Sequence, residues 1–245
     1  MDKNQQAIKP RVLTEGLFLE VHSIFPTIQG EGPFSGHTAI FVRLAGCNLQ
    51  CPLCDTEYTD GAEPYSIDQI IERIDEARSK WPAHLVVITG GEPFRQNISR
   101  LCKAITESLL MYVQVETNGR MSIQGDIEIL RIMSRGAMEI VVSPKTGAVN
   151  KDIARFASAW KYVVHADQLA DDLLPTQALD HPLGKHAHVA RPPKEFNGPI
   201  YVHPVDVQDE AENTRHLQAA VKSVLEGGDT RRVLGIQLHK FIGVE

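Results

Sequence analysis

The sequence predicts an α/β fold in the form of an incomplete parallel βα barrel. Predicted strands alternate with predicted helices along most of the chain, which is the pattern of parallel strands joined by crossover helices. Short polar or glycine-rich motifs follow these strands, and in such barrels the loops at the carboxyl ends of the strands build the functional site. The helices between the later strands are short or irregular. We therefore expect a barrel that is open on one side.

The length and composition indicate a single soluble enzyme-sized domain. A chain of 245 residues can bury a core without crosslinks, and we divide it into a lead-in over residues 1–16 and one domain over residues 17–245. The net charge of −6 argues against a nucleic-acid partner. No apolar run of about 18 residues occurs, so we expect no membrane partner. Four cysteines, three of them clustered, do not suit a secreted disulfide framework and favour the reducing cytoplasm.

The first predicted strands flank a loop that is rich in glycine. Residues 1–16 are polar, and we expect them to fray. Residues 17–23 alternate apolar and polar side chains, which predicts a strand. Residues 24–36 are dense in proline and glycine and therefore predict a loop. Residues 38–45 read as a buried strand with Arg43 as its single charge, and a buried arginine needs an anion or many acceptors.

Regular alternation follows from the first helix onward. Ser66 is the expected N-cap of a helix that runs to about Lys80, since Gln69 completes a capping box. Further strands are predicted over residues 85–89, 112–116, 138–142, 160–164, 199–202 and 233–238. Further helices are predicted over residues 97–110, 126–134, 151–158 and 209–225.

One long segment and one isolated cysteine fall outside this rhythm. Residues 167–198 have no clear period, and we expect a long, partly mobile excursion. Its histidines His181, His186 and His188 are weak candidates for metal ligands. Cys102 stands alone in a helical stretch and is expected to be a small buried hydrophobe.

The strongest functional signal is the segment CNLQCPLC at residues 47–54. Its cysteines have the spacing C-x3-C-x2-C, which is one thiolate short of an ordinary zinc site or iron–sulfur cluster. Three thiolates on a four-iron cluster leave one iron free to bind a small molecule. A zinc site completed by a distant histidine, or chance clustering of buried cysteines, remains an alternative. The chain has no second C-x2-C pair, which disfavours zinc.

This spacing resembles the signature of radical S-adenosylmethionine enzymes. The resemblance implies that Cys47, Cys51 and Cys54 hold a [4Fe-4S] cluster whose open iron binds S-adenosyl-L-methionine. It further implies reductive cleavage of that cofactor to a 5′-deoxyadenosyl radical. Leu53 stands where this superfamily usually has an aromatic residue and would pack against the adenine.

Over nearly its whole length the chain also resembles the 7-carboxy-7-deazaguanine synthase family. The motifs that carry the resemblance are, in chain order, PTIQGEG, FVRLAGCNLQCPLCDTEYT, TGGEP, ETNG, VSPK, HPVD and a terminus of HK followed by five residues. The implied reaction converts 6-carboxy-5,6,7,8-tetrahydropterin to 7-carboxy-7-deazaguanine with loss of ammonia, in 7-deazapurine (queuosine-type) biosynthesis. The family also implies Mg²⁺, a homodimer and an electron donor such as a flavodoxin or ferredoxin.

The resemblance assigns site residues position by position. Thr56 matches the Mg²⁺ ligand. The substrate-binding positions are Ile28, Gln29, Gly30, Glu31, Arg43, Thr89 and Glu245. The positions expected to face S-adenosylmethionine are Leu53, Gly91, Glu116, Ser143, Pro144, Lys145, His203, Pro204, Val205 and Asp206. His203 departs from the usual Gln, and Leu238 from a common Thr.

The C-terminal tail carries a separate expectation. In the resembled family the terminal carboxylate reaches the substrate, so the α-carboxylate of Glu245 would accept hydrogen bonds from the pterin. We expect Phe241, Ile242 and Val244 to fix the tail by packing onto the barrel.

Two other functions are compatible with parts of the sequence. One is a glycyl-radical activating enzyme, which would act on a partner protein. The other is a non-enzymatic iron–sulfur or zinc protein, for which the TGGEP and SPK motifs would have no role.

Overall fold

A computed structural model describes residues 4–244 of the chain, apart from the side chains of Asp126 and Ile127. The strands are β1 (Phe18–Ile28), β2 (Thr38–Leu44), β3 (Glu63–Ser66), β4 (Leu85–Gly90), β5 (Tyr112–Thr117), β6 (Met138–Val142), β7 (Ala159–Val164), β8 (Ile200–Pro204) and β9 (Arg232–Leu234). The helices are α1 (Ile67–Lys80), α2 (Ser99–Ser108), α3 (Asp126–Ser134), α4 (Lys151–Phe156), α5 (Glu210–Glu226) and α6 (Leu238–Ile242). Within the described residues no helix combines the length and apolarity that crossing a membrane requires.

The strands of residues 4–244 form one sheet in the order β3-β1-β2-β4-β5-β6-β7-β8-β9. β1 is antiparallel to both of its neighbours, whereas all pairs from β2 to β9 are parallel. Strands β3 and β9 end the order and do not pair with each other, so the barrel is open. The predicted incomplete parallel barrel is confirmed.

Most element predictions match the structure, and the first helix shows why. The Ser66 hydroxyl accepts a hydrogen bond from Gln69 N at 3.2 Å, and the Gln69 carboxamide accepts one from Ser66 N at 2.9 Å. This reciprocal pair is the predicted capping box, and α1 starts at the next residue.

The glycine-rich loop starts later than predicted. Residues 24–28 continue β1 because they pair with β2, from Ile24 opposite Val42 to Ile28 opposite Thr38. Pro26 has no backbone N–H to donate to a neighbouring strand. It is tolerated because β3 pairs only with residues 18–21 of β1, so no strand lies beside Pro26 on that edge.

The strand β3 and the helix α6 were not predicted, and β9 is shorter than the predicted strand over residues 233–238. Elements of three to five residues show too little hydrophobic periodicity to be recognised in a sequence.

The two faces of the sheet have different side chains. The outward residues of the parallel strands are apolar and pack beneath the helices, for example Val42, Ile88 and Tyr162. The inward residues change along the barrel axis. At the amino ends of the strands, Ala39 and Val87 belong to a small apolar cluster that closes the barrel floor. At the carboxyl ends the inward side chains are charged or polar, and a cavity opens there.

The sequence predicts that the N-terminal residues fray, but residues 4–12, called here the N-terminal strap, are held by hydrogen bonds. Lys9 N donates to Cys47 O at 2.7 Å, and Asn4 N donates to Pro52 O at 2.9 Å. The Gln6 carboxamide donates to Thr56 O and accepts from Tyr58 N, both at 2.8 Å. The strap therefore lies across the cysteine segment and holds its backbone.

Residues 167–198 are irregular, as predicted, and part of the segment packs against the rest of the chain. Leu174 and Val189 are buried in the main core. Val189 N donates to Thr176 O at 3.0 Å, and Leu179 O accepts from Leu53 N at 3.2 Å. The segment thus also contacts the cysteine segment.

Candidate active site

A cavity of about 880 Å³ lies at the carboxyl ends of the parallel strands, which is a size suited to small molecules. Most of the predicted site residues line it, from several different loops. These are Ile28, Gln29, Gly30, Glu31, Arg43, Cys47, Cys51, Leu53, Cys54, Thr56, Thr89, Gly91, Glu116, Ser143, Lys145, Val205 and Asp206. Pro144, His203 and Pro204 are not among its lining residues. Glu245 lies outside the described residues.

One side of the cavity, called here the cysteine wall, is formed by Cys47, Cys51 and Cys54 with Leu53 and Thr56. The three thiols are free. Leu49 N approaches the sulfur of Cys47 at 3.4 Å, so the backbone of the segment turns toward a thiol, as it does around a bound cluster. Cys102, by contrast, is a fully buried residue of α2 and belongs to the main core.

The raised pKa values of the three cysteines keep their thiols protonated at neutral pH unless a metal binds them. Burial raises the pKa of Cys47 to about 12 and that of Cys51 to about 11, and it also raises the pKa of Cys54. Iron binding displaces these protons, because thiolate is the form that ligates metals. Within residues 4–244 no three Cys, His, Asp or Glu side chains converge on one ion-sized point. A four-iron cluster does not need such convergence, because each thiolate binds a different iron, and three neighbouring free thiols fit it.

The TGGEP and ETNG loops contact the cysteine segment and fix its position. A Cβ on Gly91 would lie 2.2 Å from Gly46 O, so only glycine allows the two backbones to approach this closely. The fully buried carboxylate of Glu92 accepts hydrogen bonds from Thr117 Oγ1 at 2.7 Å and Asn118 N at 2.8 Å. The Asn118 carboxamide in turn donates to Asn48 Oδ1 at 2.8 Å. Two strand-end loops are thereby fixed to the cysteine segment.

A second part of the cavity lining, called here the carboxylate wall, contains Glu31, Glu116 and Lys161 together with Gln29 and Gln237. The Lys161 ammonium donates to Glu116 Oε2 at 3.0 Å and also to Glu31 Oε2. Gln29 Nε2 donates to Glu116 Oε1 at 3.0 Å. Gln237 Nε2 donates to Glu31 Oε1 at 2.7 Å. The wall is thus a connected network drawn from the loop after β1, the strands β5 and β7, and the C-terminal segment.

The ion pairs of the carboxylate wall determine the protonation states of Glu31 and Lys161. Burial by itself would raise the pKa of Glu31, but the Lys161 ammonium lowers it well below its usual value. Burial likewise opposes the charge of Lys161, yet attraction by Glu116 and Glu31 raises its pKa. Glu31 is therefore a carboxylate and Lys161 an ammonium at neutral pH.

Two further cations lie along the cavity. The guanidinium carbon of Arg43 sits 5.1 Å from the centre of the Phe25 ring, which orients it by a cation–π contact. The Lys145 ammonium donates to Ser143 Oγ at 2.6 Å and Ser143 O at 3.0 Å. Burial lowers the pKa of Lys145. Both side chains can pair with carboxylates of bound molecules.

The C-terminal tail is fixed differently from the prediction. Phe241 is 73% exposed and Ile242 is 45% exposed, so these side chains do not pack onto the barrel. Hydrogen bonds and ion pairs hold the tail instead. Leu238 N donates to Gly30 O at 3.1 Å, and the Lys240 ammonium lies 3.1 Å from Asp55 and 3.6 Å from Asp206.

The predicted segment from His203 to Asp206 is only partly exposed to the cavity. His203 is fully buried, and a Cβ on Gly235 would lie 2.2 Å from its ring. Burial lowers the pKa of His203, so the ring is neutral at neutral pH. Val205 and Asp206 line the cavity. The histidines His181, His186 and His188 form no metal-binding cluster in the described part of the chain.

Sequence reasoning missed three residues that organise the site: Asn118, Lys161 and Gln237. Lys161 carries the same signal that singled out Arg43, a lone charge inside a buried strand. Asn118 stands within the recognised ETNG motif, directly after β5. Gln237 follows β9 in a segment whose partner, Glu31, is 206 residues away, and no local pattern could have revealed that contact.

Comparison with known proteins finds a matching family and similar sequences over nearly the whole chain. Residues 42–164 match the family model of the radical SAM superfamily. The chain is 35% identical to a 7-carboxy-7-deazaguanine synthase of Rickettsia prowazekii over 240 residues, covering 94% of this chain and 91% of that protein. It is also 35% identical to a 7-carboxy-7-deazaguanine synthase of Rhodospirillum rubrum, covering 94% of both chains.

A solved structure is similar in fold. The crystal structure of QueE from Escherichia coli superposes with a TM-score of 0.63 at 21% identity, covering 91% of this chain and 95% of that one. At this level of identity the likeness concerns the fold alone, and it agrees with an open barrel.

Proposed function

Because the chain belongs to the 7-carboxy-7-deazaguanine synthase family of radical S-adenosylmethionine enzymes, we propose that it converts 6-carboxy-5,6,7,8-tetrahydropterin to 7-carboxy-7-deazaguanine with loss of ammonia. The observation that carries the proposal is that two unlike groups of side chains line one small cavity. Three free thiols belong to its lining, and so does a network of carboxylates and amides. A cluster-bound cofactor and a polar heterocycle can therefore be held in the same cavity.

The cysteine wall holds the radical-generating group. Cys47, Cys51 and Cys54 would bind the [4Fe-4S] cluster, and the bound cluster with S-adenosylmethionine supplies a 5′-deoxyadenosyl radical. Leu53 offers an apolar surface for the adenine, and Lys145 offers a cation for the carboxylate of the methionine moiety. The N-terminal strap and residues 167–198 both hydrogen-bond to the backbone of the cysteine segment, which fixes the position of the thiols.

The carboxylate wall recognises the pterin. A pterin has an amide–guanidine edge whose N–H groups pair with carboxylates, and Glu31 and Glu116 present oxygens on that wall. Arg43 lines the same cavity and suits the substrate carboxylate, because its planar fork can donate two parallel hydrogen bonds. Holding the substrate at both ends restricts which hydrogen atom the radical can reach.

Mg²⁺ belongs to the proposal through Thr56. This residue lines the cavity two positions after Cys54, and its hydroxyl lies 3.5 Å from Asp55 Oδ1. Hard cations bound by few protein ligands retain water and bridge to ligand oxygens. Thr56 would therefore contribute its hydroxyl to a Mg²⁺ site at the cavity.

The partners and compartment are also proposed. Reduction of the cluster calls for a one-electron donor such as a flavodoxin or ferredoxin. A homodimer is supported by exposed apolar side chains on β9 and α6, including Leu234, Phe241 and Ile242, which a second copy could cover. Three free thiols that must bind iron suit the reducing cytoplasm.

The decisive experiment is anaerobic turnover of the reconstituted protein. The mixture contains 6-carboxytetrahydropterin, S-adenosylmethionine, Mg²⁺ and a reductant, and the products are separated by chromatography and identified by mass. We expect 7-carboxy-7-deazaguanine and ammonia, both dependent on each component. Reductive cleavage of S-adenosylmethionine without any deazaguanine product would preserve the radical chemistry but refute the assigned substrate.

A further inference from the structure

We infer that Lys161 is a positioning residue that holds Glu31 and Glu116 side by side as an acceptor array for the N–H edge of the ligand. The inference deepens the proposed function and rests on it. Lys161 lies in the middle of β7, on the inward face of the sheet. Its ammonium contacts one oxygen of each glutamate.

The second oxygen of each carboxylate is held by an amide. Glu116 Oε1 accepts from Gln29 Nε2 and from Gln114 Nε2, both at 3.0 Å. Glu31 Oε1 accepts from Gln237 Nε2 at 2.7 Å. Each carboxylate oxygen has two lone-pair directions, so these contacts orient both groups while leaving acceptor capacity for a ligand.

Lys161 also decides how many protons the array carries. Glu31 and Glu116 both lie near one buried ammonium, which is 5% exposed. Two carboxylates that share a desolvated site without a cation repel each other, and one of them takes up a proton. The protonated carboxyl group would donate a hydrogen bond where the ligand also presents an N–H donor, so the two would no longer be complementary.

The position of Lys161 also argues against a purely stabilising role. Buried ion pairs contribute little net stability, because desolvation offsets most of the attraction. Outward neighbours of Lys161 on the same strand, Trp160 and Tyr162, do pack in the main core. Lys161 instead faces the cavity, where its contacts are with the two carboxylates.

The test uses two unreactive ligands and the reconstituted holoenzyme with S-adenosylmethionine. One ligand is oxidised pterin-6-carboxylate, which retains the amide–guanidine edge. The other is the lumazine analogue, in which a carbonyl replaces the 2-amino group and so presents an acceptor to the carboxylates. Binding of each is measured by calorimetry for wild type, Lys161→Met, Lys161→Arg and the surface control Lys222→Met.

We expect wild type and Lys222→Met to bind the pterin at least about tenfold more tightly than the lumazine. Lys161→Met should lose most of this preference, while its iron content and S-adenosylmethionine affinity stay within about twofold of wild type. Lys161→Arg should restore the preference, because it retains the cation. A wild-type protein without preference, or a Lys161→Met variant with unchanged preference, would overturn the inference.

The same experiment separates the inference from the proposed function. A merely structural role for Lys161 would lower iron content and weaken both ligands equally, and this outcome would also refute the inference. If wild type distinguishes the two ligands but does not convert 6-carboxytetrahydropterin, the proposed reaction fails and the acceptor array stands.

Discussion

The cysteine wall and the carboxylate wall line the same cavity but are built from the chain in different ways. The cysteine wall comes from one short segment, and backbone hydrogen bonds from the N-terminal strap hold it in place. The carboxylate wall comes from the loop after β1, from β5 and β7, and from the C-terminal segment, and side-chain ion pairs and hydrogen bonds hold it together. A local wall can be recognised by its motif, whereas a wall assembled from distant strands depends on the whole fold.

Removal of one thiol should have the largest effect. We expect Cys51→Ala to abolish turnover and most of the bound iron, because two thiolates do not retain the cluster. Cys47→Ala and Cys54→Ala should behave alike. Iron and sulfide analysis with the visible absorption spectrum measures the loss.

Cys102→Ala is the matched control for these variants. Cys102 is buried in the core away from the cavity, so we expect iron content and turnover close to wild type. Loss of iron from Cys102→Ala alone would contradict the assigned set of three ligands.

A C-terminal extension should weaken pterin binding without altering any side chain. Val244 lines the cavity, and the carboxylate that we propose to contact the pterin belongs to the next residue. A few added residues move that carboxylate away, so we expect the KM for the pterin to rise by about tenfold. S-adenosylmethionine binding should change much less. Wild-type steady-state kinetics in the extended protein would exclude a role for the terminal carboxylate.

The variant Thr56→Ala should have an intermediate effect that is confined to the metal. We expect Mg²⁺ stimulation of turnover to fall severalfold, because the hydroxyl ligand is lost, while cluster content is retained. The measurement is turnover as a function of Mg²⁺ concentration. An unchanged Mg²⁺ response would remove Thr56 from the metal site.

The smallest effect should come from the strap that supports the cysteine wall. Gln6→Ala removes the side-chain contacts to Thr56 O, Tyr58 N and Thr59 Oγ1. We expect the free energy of unfolding to fall by about 1–3 kcal/mol, since these hydrogen bonds are lost. Thermal unfolding of the anaerobic protein measures it, with Gln218→Ala on the exposed face of α5 as control. Equal melting temperatures for the two variants would mean that the strap does not brace the wall.

The sequence allowed prediction of features that have local causes. The capping box of α1, the alternation of strands and helices, and the C-x3-C-x2-C segment each depend on residues that are close in the chain. The fold class followed from the same alternation, and family membership, predicted from the ordered motifs, is confirmed by the relatives. Residue roles in binding remain predictions.

The features that could not be predicted arise from contacts between distant residues. Residues 4–12 are polar and read as a free end, yet they pair with the cysteine segment. Phe241 and Ile242 are apolar and were expected to anchor the tail, yet Lys240 does so through Asp55 and Asp206. Apolar composition indicates burial only on average, and a short tail offers no periodicity to identify its inward side.

The contact between Gln237 and Glu31 has a consequence for folding. These residues are 206 positions apart, so the chain must close a very long loop to bring them together. Such non-local contacts form late, because the entropy of closure is recovered only when the intervening strands already hold both ends in register. We therefore expect the sheet to assemble before Gln237 meets Glu31, so that the binding cavity is completed late in folding.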